Sequence, residues 1–158
     1  MQPDVDELAT LFENAPRFVE RLAAEAGTVD TWNELFDRAE QVAYWMPEVE
    51  QVELLNAHPR IGAPPGSVSA LSYREQGYEH DPGTAELQAR LDRLNDEYEA
   101  RHGFRFVVFV DGRSRAQIAE LMKRHIEAPR EEERERGLRD VIAIARARLA
   151  RMREEQTA

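Results

Sequence analysis

The sequence predicts an all-α protein: a single-domain bundle of about eight helices over residues 1–158, with one extended segment at about 104–110. Apolar residues recur every three or four positions through most of the chain, as on a buried helix face. Helix-start and helix-stop signals separate these runs. One stretch, "FRFVVFV", has the composition of a strand but no obvious partner. We therefore expect it to run extended across helices rather than in a sheet.

The first half of the chain contains five predicted helices. Pro16 and Pro47 each suit the first turn of a helix, where a missing N–H is tolerated. The stretch that starts at Thr31 has capping-box spacing. His58 precedes Pro59, and a residue before proline is pushed out of the α region, so the fourth helix should end there. The predicted helices are Val5 to Glu13, Pro16 to Ala26, Thr31 to Met46, Pro47 to His58 and a short one from Ser69 to Tyr78.

The second half contains three longer helices. Apolar residues recur from Leu87 to Tyr98, and Gly103 follows as a stop. A second capping box begins at Ser114 and opens a helix to about Glu127. Pro129 opens the last helix, whose apolar face contains Leu138, Val141, Ile142, Ala145 and Leu149.

Composition excludes several classes of function. The net charge of -10 disfavours nucleic acids and anionic membrane surfaces as partners. The absence of cysteine excludes disulfides and thiol chemistry. No apolar run of about 18 residues and no signal peptide appear, so we expect a cytoplasmic protein. The four histidines form no HxH, HxxH or HExxH pair, so no metal site is predicted.

His58 is the candidate acid–base residue. Its place at a proline corner gives the imidazole a fixed pose, and histidine exchanges protons near neutral pH. Ser72, Glu75 and Gln76 share one helix face at i, i+3 and i+4. The loop between is too short to separate the two elements widely, so His58 and this face can converge. The alternatives are a histidine that merely ends a helix and a solvated polar face.

Arg148 is the candidate cation. It lies beside the apolar positions Ala145 and Leu149 of the last helix. A guanidinium facing a cleft would bind a carboxylate or carbonyl oxygen in a fork geometry. The alternative is one more surface arginine in a chain that has many.

Six stretches of the chain together resemble a known family. They are "LFENAPRFVERL", "LLNAHPRIG", "LSYREQ", "NDEYEARHG", "FRFVVFVDGRSR" and "GLRDVIAIARARL". In this order they resemble the decarboxylases of 2-oxo-4-hydroxy-4-carboxy-5-ureidoimidazoline (OHCU), which form (S)-allantoin in urate catabolism. Three features depart from the common family pattern: Arg17 stands where an aromatic is frequent, Asp111 stands where arginine is frequent, and "HPRI" replaces the common "HPDL".

The resemblance implies a function and a site. It implies an all-α carboxy-lyase that acts on OHCU without a cofactor or metal, commonly as a homodimer. The catalytic residues would be His58, Glu75 and Arg148. The substrate-binding residues would be Pro59, Ser72, Gln76, Val107, Val108, Phe109 and Val110.

Two other functions stay open from the sequence. The same site could act on a different ureido or hydantoin acid. A helical protein of this kind could also bind a small ligand without catalysis, although such a module has no need of the combination His58, Glu75 and Arg148.

Overall fold

The computed structural model describes residues 3–63, 69, 74–76 and 84–157. These residues form seven helices and a further helical stretch at 74–76, and they contain no strand. The all-α prediction is therefore confirmed. The helices are α1 (Val5–Leu11), α2 (Pro16–Ala26), α3 (Trp32–Trp45), α4 (Glu48–Asn56), α5 (Ala85–His102), α6 (Arg115–Glu127) and α7 (Arg130–Thr157).

Side-chain caps fix the starts of α1, α3, α5 and α6. At each start, the N-cap oxygen accepts a hydrogen bond from the N–H three residues later, at 2.8–3.2 Å. The capping box predicted at Ser114 is confirmed, since the Gln117 side chain also accepts from the Ser114 N–H. At Thr31 only half of the box forms. There the Glu34 carboxylate accepts from the Asp30 N–H, one residue before the cap, at 2.7 Å.

Three predicted boundaries were wrong. Helix α4 ends at Asn56 rather than at His58, because the break that Pro59 imposes spreads back to the C-cap, Ala57. Helix α1 ends at Leu11 rather than Glu13, ahead of a left-handed residue at position 14 with φ of 59°. Ser69 is not helical, and of the helix predicted from there to Tyr78 the described helical part is 74–76.

The chain divides into two compact units. The first unit contains Met1–Ala57 and Leu138–Ala158. Within it, α2 contacts α1, α3 and α4. Phe12 packs edge-on against Phe18, with 5.0 Å between ring centroids. Other core side chains of this unit are Leu8, Leu22, Leu35, Ala39, Leu54, Val141 and Ala145. The single domain over 1–158 remains a prediction.

The second unit, His58–Gly137, is organised around Tyr98 of α5. The Tyr98 ring is fully buried and lies 4.5–5.9 Å from the rings of His102, Phe104 and Phe106. Residues 104–110 are neither helical nor paired as a strand, and most of their side chains are buried. The Phe106 ring contacts α5 through Tyr98, α6 through His125 and α7 through Arg136, with centroid distances of 5.1, 6.0 and 5.1 Å.

A buried carboxylate, Glu133 of α7, joins these helices. It accepts hydrogen bonds from Tyr98 Oη at 2.9 Å and His125 Nδ1 at 2.8 Å. Arg136 donates to both carboxylate oxygens at 3.0–3.3 Å. Burial by itself would raise the pKa of Glu133, but the hydrogen bonds from His125 and Arg136 outweigh it and lower that pKa to about 2. Burial, together with the Glu133 charge, raises the pKa of Tyr98. Glu133 is therefore ionised, and its charge holds side chains from α5, α6 and α7 around it.

Across the stretches of chain described above, no helix combines the length and the apolar content needed to cross a bilayer.

We expect Glu133→Gln to lower the free energy of unfolding by the contribution of the ionised carboxylate, which itself disappears at low pH. The pKa of Glu133 is about 2 in the folded protein, against an ordinary value of 4.5. Ionised Glu133 therefore stabilises the fold fully above about pH 4.5, and this contribution is lost as the pH falls toward 2. At about 1.4 kcal/mol per pKa unit, it amounts to about 3 kcal/mol. Urea unfolding of wild type and variant, at several pH values from 7 to 2.5, measures it.

The difference in unfolding free energy between the two proteins should narrow between about pH 4.5 and 2. Glu97→Gln is the matched control, because Glu97 is an exposed carboxylate on α5. A difference that stays constant through this window would contradict the assignment.

Candidate active site

The His58-Pro59 corner opens the second unit. Two residues separate α4 from Pro59, so His58 stands outside any helix, and its side chain is half-buried. Its backbone carbonyl accepts a hydrogen bond from Arg105 Nη1 at 3.1 Å. Arg105 belongs to the 104–110 segment. The Arg105 side chain therefore joins that segment to the main chain of the His58-Pro59 corner.

The turn after the corner is fastened to α5. Asn95, which is buried, donates from Nδ2 to the Ile61 carbonyl at 3.0 Å. Gln88 donates from Nε2 to the Gly62 carbonyl at 2.9 Å. Gly62 has a φ of 85°, and a Cβ placed there would lie 3.1 Å from Gln88 Nε2 and 3.2 Å from Leu91 Cδ1. Both the backbone conformation and the close approach of α5 therefore favour glycine.

The helical stretch at 74–76 is joined to the same turn by Gln76. Its Oε1 accepts from the Gly62 N–H at 3.1 Å, and its Nε2 donates to the Arg60 carbonyl at 3.3 Å. Glu75, the predicted catalytic carboxylate, is the half-buried neighbour of Gln76. Ser72, its predicted partner on this helix face, lies outside the described residues. The Gln76 amide thus links the Glu75 backbone to the loop that follows His58-Pro59.

Three carbonyls of the 107–110 segment accept hydrogen bonds from two arginines. Arg136 Nη1 donates to the Val107 carbonyl at 2.9 Å. Arg113 donates from Nη2 to the Phe109 carbonyl and from Nε to the Val110 carbonyl, the latter at 3.0 Å. Val107, Val108 and Val110 are buried, and Phe109 is half-buried.

Arg148 lies in the first unit, and its side chain is 3% exposed. Its Nη1 donates to the carbonyls of Thr10 and Leu11 at 3.4 and 3.3 Å, at the end of α1, and lies 3.7 Å from Glu13 Oε1. A cation suits a helix C-terminus, so this guanidinium also stabilises α1. Its neighbour Arg146 reaches α3 instead, through Asn33 and Asp37.

The structure thus connects part of the predicted site. His58, Pro59, Glu75, Gln76 and the 107–110 segment lie in the second unit, and hydrogen bonds from Gln76 and Arg105 join their three backbone elements. Arg148 is assigned to the other unit. The backbone elements that carry this imidazole and this carboxylate are therefore joined by side-chain hydrogen bonds. In the part of the chain that is described, no three His, Asp or Glu side chains group as a metal site requires.

Sequence reasoning missed the residues that support this arrangement. Glu133 and Arg136 fall in "REEERERG", which has the composition of a solvated helix start. A signal was available, because Glu133 precedes Gly137 and Val141 at successive intervals of four on the buried face of α7. For Arg113, in a turn with no periodic pattern, the sequence offers no such signal.

Comparison with known proteins agrees with the resemblance seen in the sequence. The chain is 29% identical over 148 residues to the 2-oxo-4-hydroxy-4-carboxy-5-ureidoimidazoline decarboxylase of Haloferax volcanii, covering 92% of this chain and 86% of that protein. It is also 29% identical over 149 residues to the uric acid degradation bifunctional protein PucL of Bacillus subtilis, covering 92% of this chain but only 29% of that longer protein.

Solved structures show the same fold. A crystal structure of OHCU decarboxylase in the presence of (S)-allantoin superposes with a TM-score of 0.69 at 20% identity, covering 93% of this chain and 96% of that one. A crystal structure of (S)-allantoin synthase gives the same TM-score and identity, over 92% of this chain and 48% of that one. The family described as OHCU decarboxylase matches residues 2–150. The chain therefore belongs to the OHCU decarboxylase family.

Proposed function

We propose that this protein decarboxylates OHCU to (S)-allantoin in urate degradation, without a cofactor. Beyond family membership, the main support is the connection of three sequence elements within one unit. Gln76 joins the 74–76 stretch to the turn after Pro59, and Arg105 joins the 104–110 segment to His58. These are the elements to which the sequence resemblance assigns the substrate.

The substrate supplies its own electron sink. One ring carbon bears a hydroxyl and a carboxylate, and the next carbon bears the ureido group and a C=N bond. When the bond to CO₂ breaks, its electron pair forms a ring C=C bond, and the C=N pair moves onto nitrogen, which takes a proton. The enol then loses its hydroxyl proton while the ureido-bearing carbon gains one. The protein must provide orientation and proton relay.

His58 and Glu75 are assigned to the relay. His58 accepts the hydroxyl proton, a role that suits an imidazole near neutral pH. Glu75 orients His58 or holds the ureido nitrogens, since an ionised carboxylate only accepts hydrogen bonds.

We assign the orientation of the substrate to residues around His58 and Glu75. Pro59 keeps the corner rigid against the substrate, and Ser72 and Gln76 hold ureido or ring amides. The Gln76 amide already bonds backbone at both ends, so its contact with substrate uses the second hydrogen of Nε2 or the second lone pair of Oε1. The backbone of Val107, Val108, Phe109 and Val110 lines the pocket.

Arg148 enters the proposal from the sequence pattern alone. A clamp on the departing carboxylate would stabilise the ground state more than the transition state. We therefore assign Arg148 to an oxygen that gains charge during the reaction.

The proposal also includes a homodimer in the cytoplasm. The family resemblance supports the homodimer, and the cysteine-free composition supports the cytoplasmic location. Sedimentation equilibrium should give a mass near twice the 18.2 kDa of one chain, and a mass of 18.2 kDa would refute the dimer.

His58→Asn and Glu75→Gln should each lower kcat for OHCU by at least about 100-fold, because each removes a proton-relay group and retains the side-chain size. OHCU is generated from urate in situ with the two upstream enzymes. Circular dichroism then follows the appearance of (S)-allantoin.

Glu97→Gln is the matched control and should retain wild-type kcat, since Glu97 is exposed on α5. If well-folded wild type failed to accelerate the spontaneous decay of OHCU, the proposed function would be wrong. Activity near wild type in either relay variant would remove that residue from the relay.

Gln76→Glu should lower kcat/KM by about tenfold or more, because leaving the Arg60 carbonyl without its hydrogen-bond partner costs about 1–3 kcal/mol. The new carboxylate can still accept from the Gly62 N–H, but it has no hydrogen to donate to the Arg60 carbonyl. Steady-state kinetics and thermal unfolding measure the effect. Gln41→Glu, on the exposed face of α3, introduces the same charge and should leave both unchanged. An unaltered kcat/KM in Gln76→Glu would show that the site does not depend on this link.

A further inference from the structure

Two arginines bind alternate peptide groups of the 107–110 segment. Arg136 binds the carbonyl of the Val107–Val108 peptide, and Arg113 binds the carbonyl of the Phe109–Val110 peptide. The two guanidinium groups come from different elements, α7 and the turn before α6. A neighbouring strand would likewise bind carbonyls two residues apart, such as those of Val107 and Phe109, but here the donors are side chains. Arg113 binds the Val110 carbonyl as well, where the segment turns.

Binding the carbonyl also fixes the direction of the N–H in the same peptide. No cis peptide bond occurs in the described chain, and in a trans peptide the C=O and N–H point in opposite directions. Arg136 therefore turns the Val108 N–H away from itself, and Arg113 does the same for the Val110 N–H. Within the described part of the chain, neither N–H donates a hydrogen bond, although both residues are buried. Buried N–H groups without an acceptor are rare in folded proteins.

Arg136 is held by more than its own bond to the segment. Its Nε and Nη2 bind Glu133, and its guanidinium lies 5.1 Å from the centre of the Phe106 ring. Glu133 is in turn fixed by Tyr98 and His125. A guanidinium bound on two sides and stacked on a ring has little rotational freedom, so the peptide it binds is oriented just as firmly.

Arg113 is held by the turn that ends the segment. Its own N–H donates to the Val110 carbonyl at 3.0 Å, and its Nε donates to that same oxygen at 3.0 Å. Asp111, inside this turn, has a φ of 49°. The turn thus folds Arg113 back along the segment, where it reaches the Phe109 carbonyl.

We propose that Arg136 and Arg113 are positioning residues that direct the N–H groups of Val108 and Val110 toward the substrate. This inference rests on the proposed function and deepens it. Two backbone donors in one segment suit a planar ligand with carbonyl oxygens, such as a ring carbonyl or a ureido oxygen. Arg136 and Arg113 act through the backbone and do not touch the substrate themselves.

Amide NMR tests separately whether the Val108 N–H and the Val110 N–H face the bound ligand. Titration of ¹⁵N-labelled wild type with (S)-allantoin should shift the amide protons of Val108 and Val110, whereas the Leu94 amide in the middle of α5 should not move. In Arg113→Met the Val110 response should disappear while the Val108 response persists. In Arg136→Lys, which keeps the charge beside Glu133 but loses the fork, the Val108 response should fall selectively.

Kinetics separates positioning from folding. Arg113→Met and Arg136→Lys should each lower kcat by about tenfold or more, with a smaller change in KM, because a misdirected donor acts mainly on charge that develops in the transition state. Arg124→Met is the matched control, being an exposed arginine of α6, and should stay within about twofold of wild type. A purely structural role would lower the unfolding temperature and leave kcat per folded molecule and the amide responses unchanged.

The outcomes distinguish this inference from the function beneath it. If wild type decarboxylates OHCU and neither valine amide responds to (S)-allantoin, the positioning role is wrong and the function stands. If both amides respond as described but OHCU decay is not accelerated, the function is wrong and the positioning role stands for another ligand.

Discussion

The structure of the second unit depends on satisfying the backbone hydrogen bonds of residues 104–110. These residues are mostly buried and are not paired as a strand. Buried carbonyl and N–H groups need hydrogen-bond partners, and the described residues contain no strand to supply them. Here two arginines from outside the segment take the place of a neighbouring strand for its carbonyls. Arg136 and Arg113 donate to its carbonyls, and Arg105 extends from it to the carbonyl of His58.

This solution requires a buried carboxylate. A guanidinium held in the interior is costly unless it is paired, so Arg136 needs Glu133 beside it. Glu133 has the same need, and Tyr98 and His125 complete its shell. The low pKa of Glu133 follows from these donors and keeps the carboxylate ionised across the physiological range. One negative charge therefore secures α5, α6, α7 and the unpaired segment together.

The parts of this fold that are governed by local chemistry could be predicted from the sequence. The box at Ser114, the helix stop at Gly103 and the unpaired 104–110 segment depend on residues adjacent in the chain. Two other features could not be read in this way. The early end of α4 depends on how far the proline break spreads, and the bonds of Gln76 to the Arg60–Gly62 turn depend on contacts across the fold. Glu133 was missed because an acidic run has the same composition whether one member is buried or none is, although its spacing of four from Gly137 and eight from Val141 was a signal.

The choice of arginines rather than a strand has a chemical consequence. A neighbouring strand both donates and accepts, so it would satisfy the carbonyls and the N–H groups of the segment alike. A guanidinium has five donors and no acceptor, so it satisfies carbonyls alone. The segment consequently retains oriented N–H donors with fixed directions and no side-chain rotamers to order. OHCU supplies its own electron sink, and its decarboxylation needs mainly a fixed orientation beside a proton relay. In the function proposed above, a segment stiffened by donors from one side would supply that orientation.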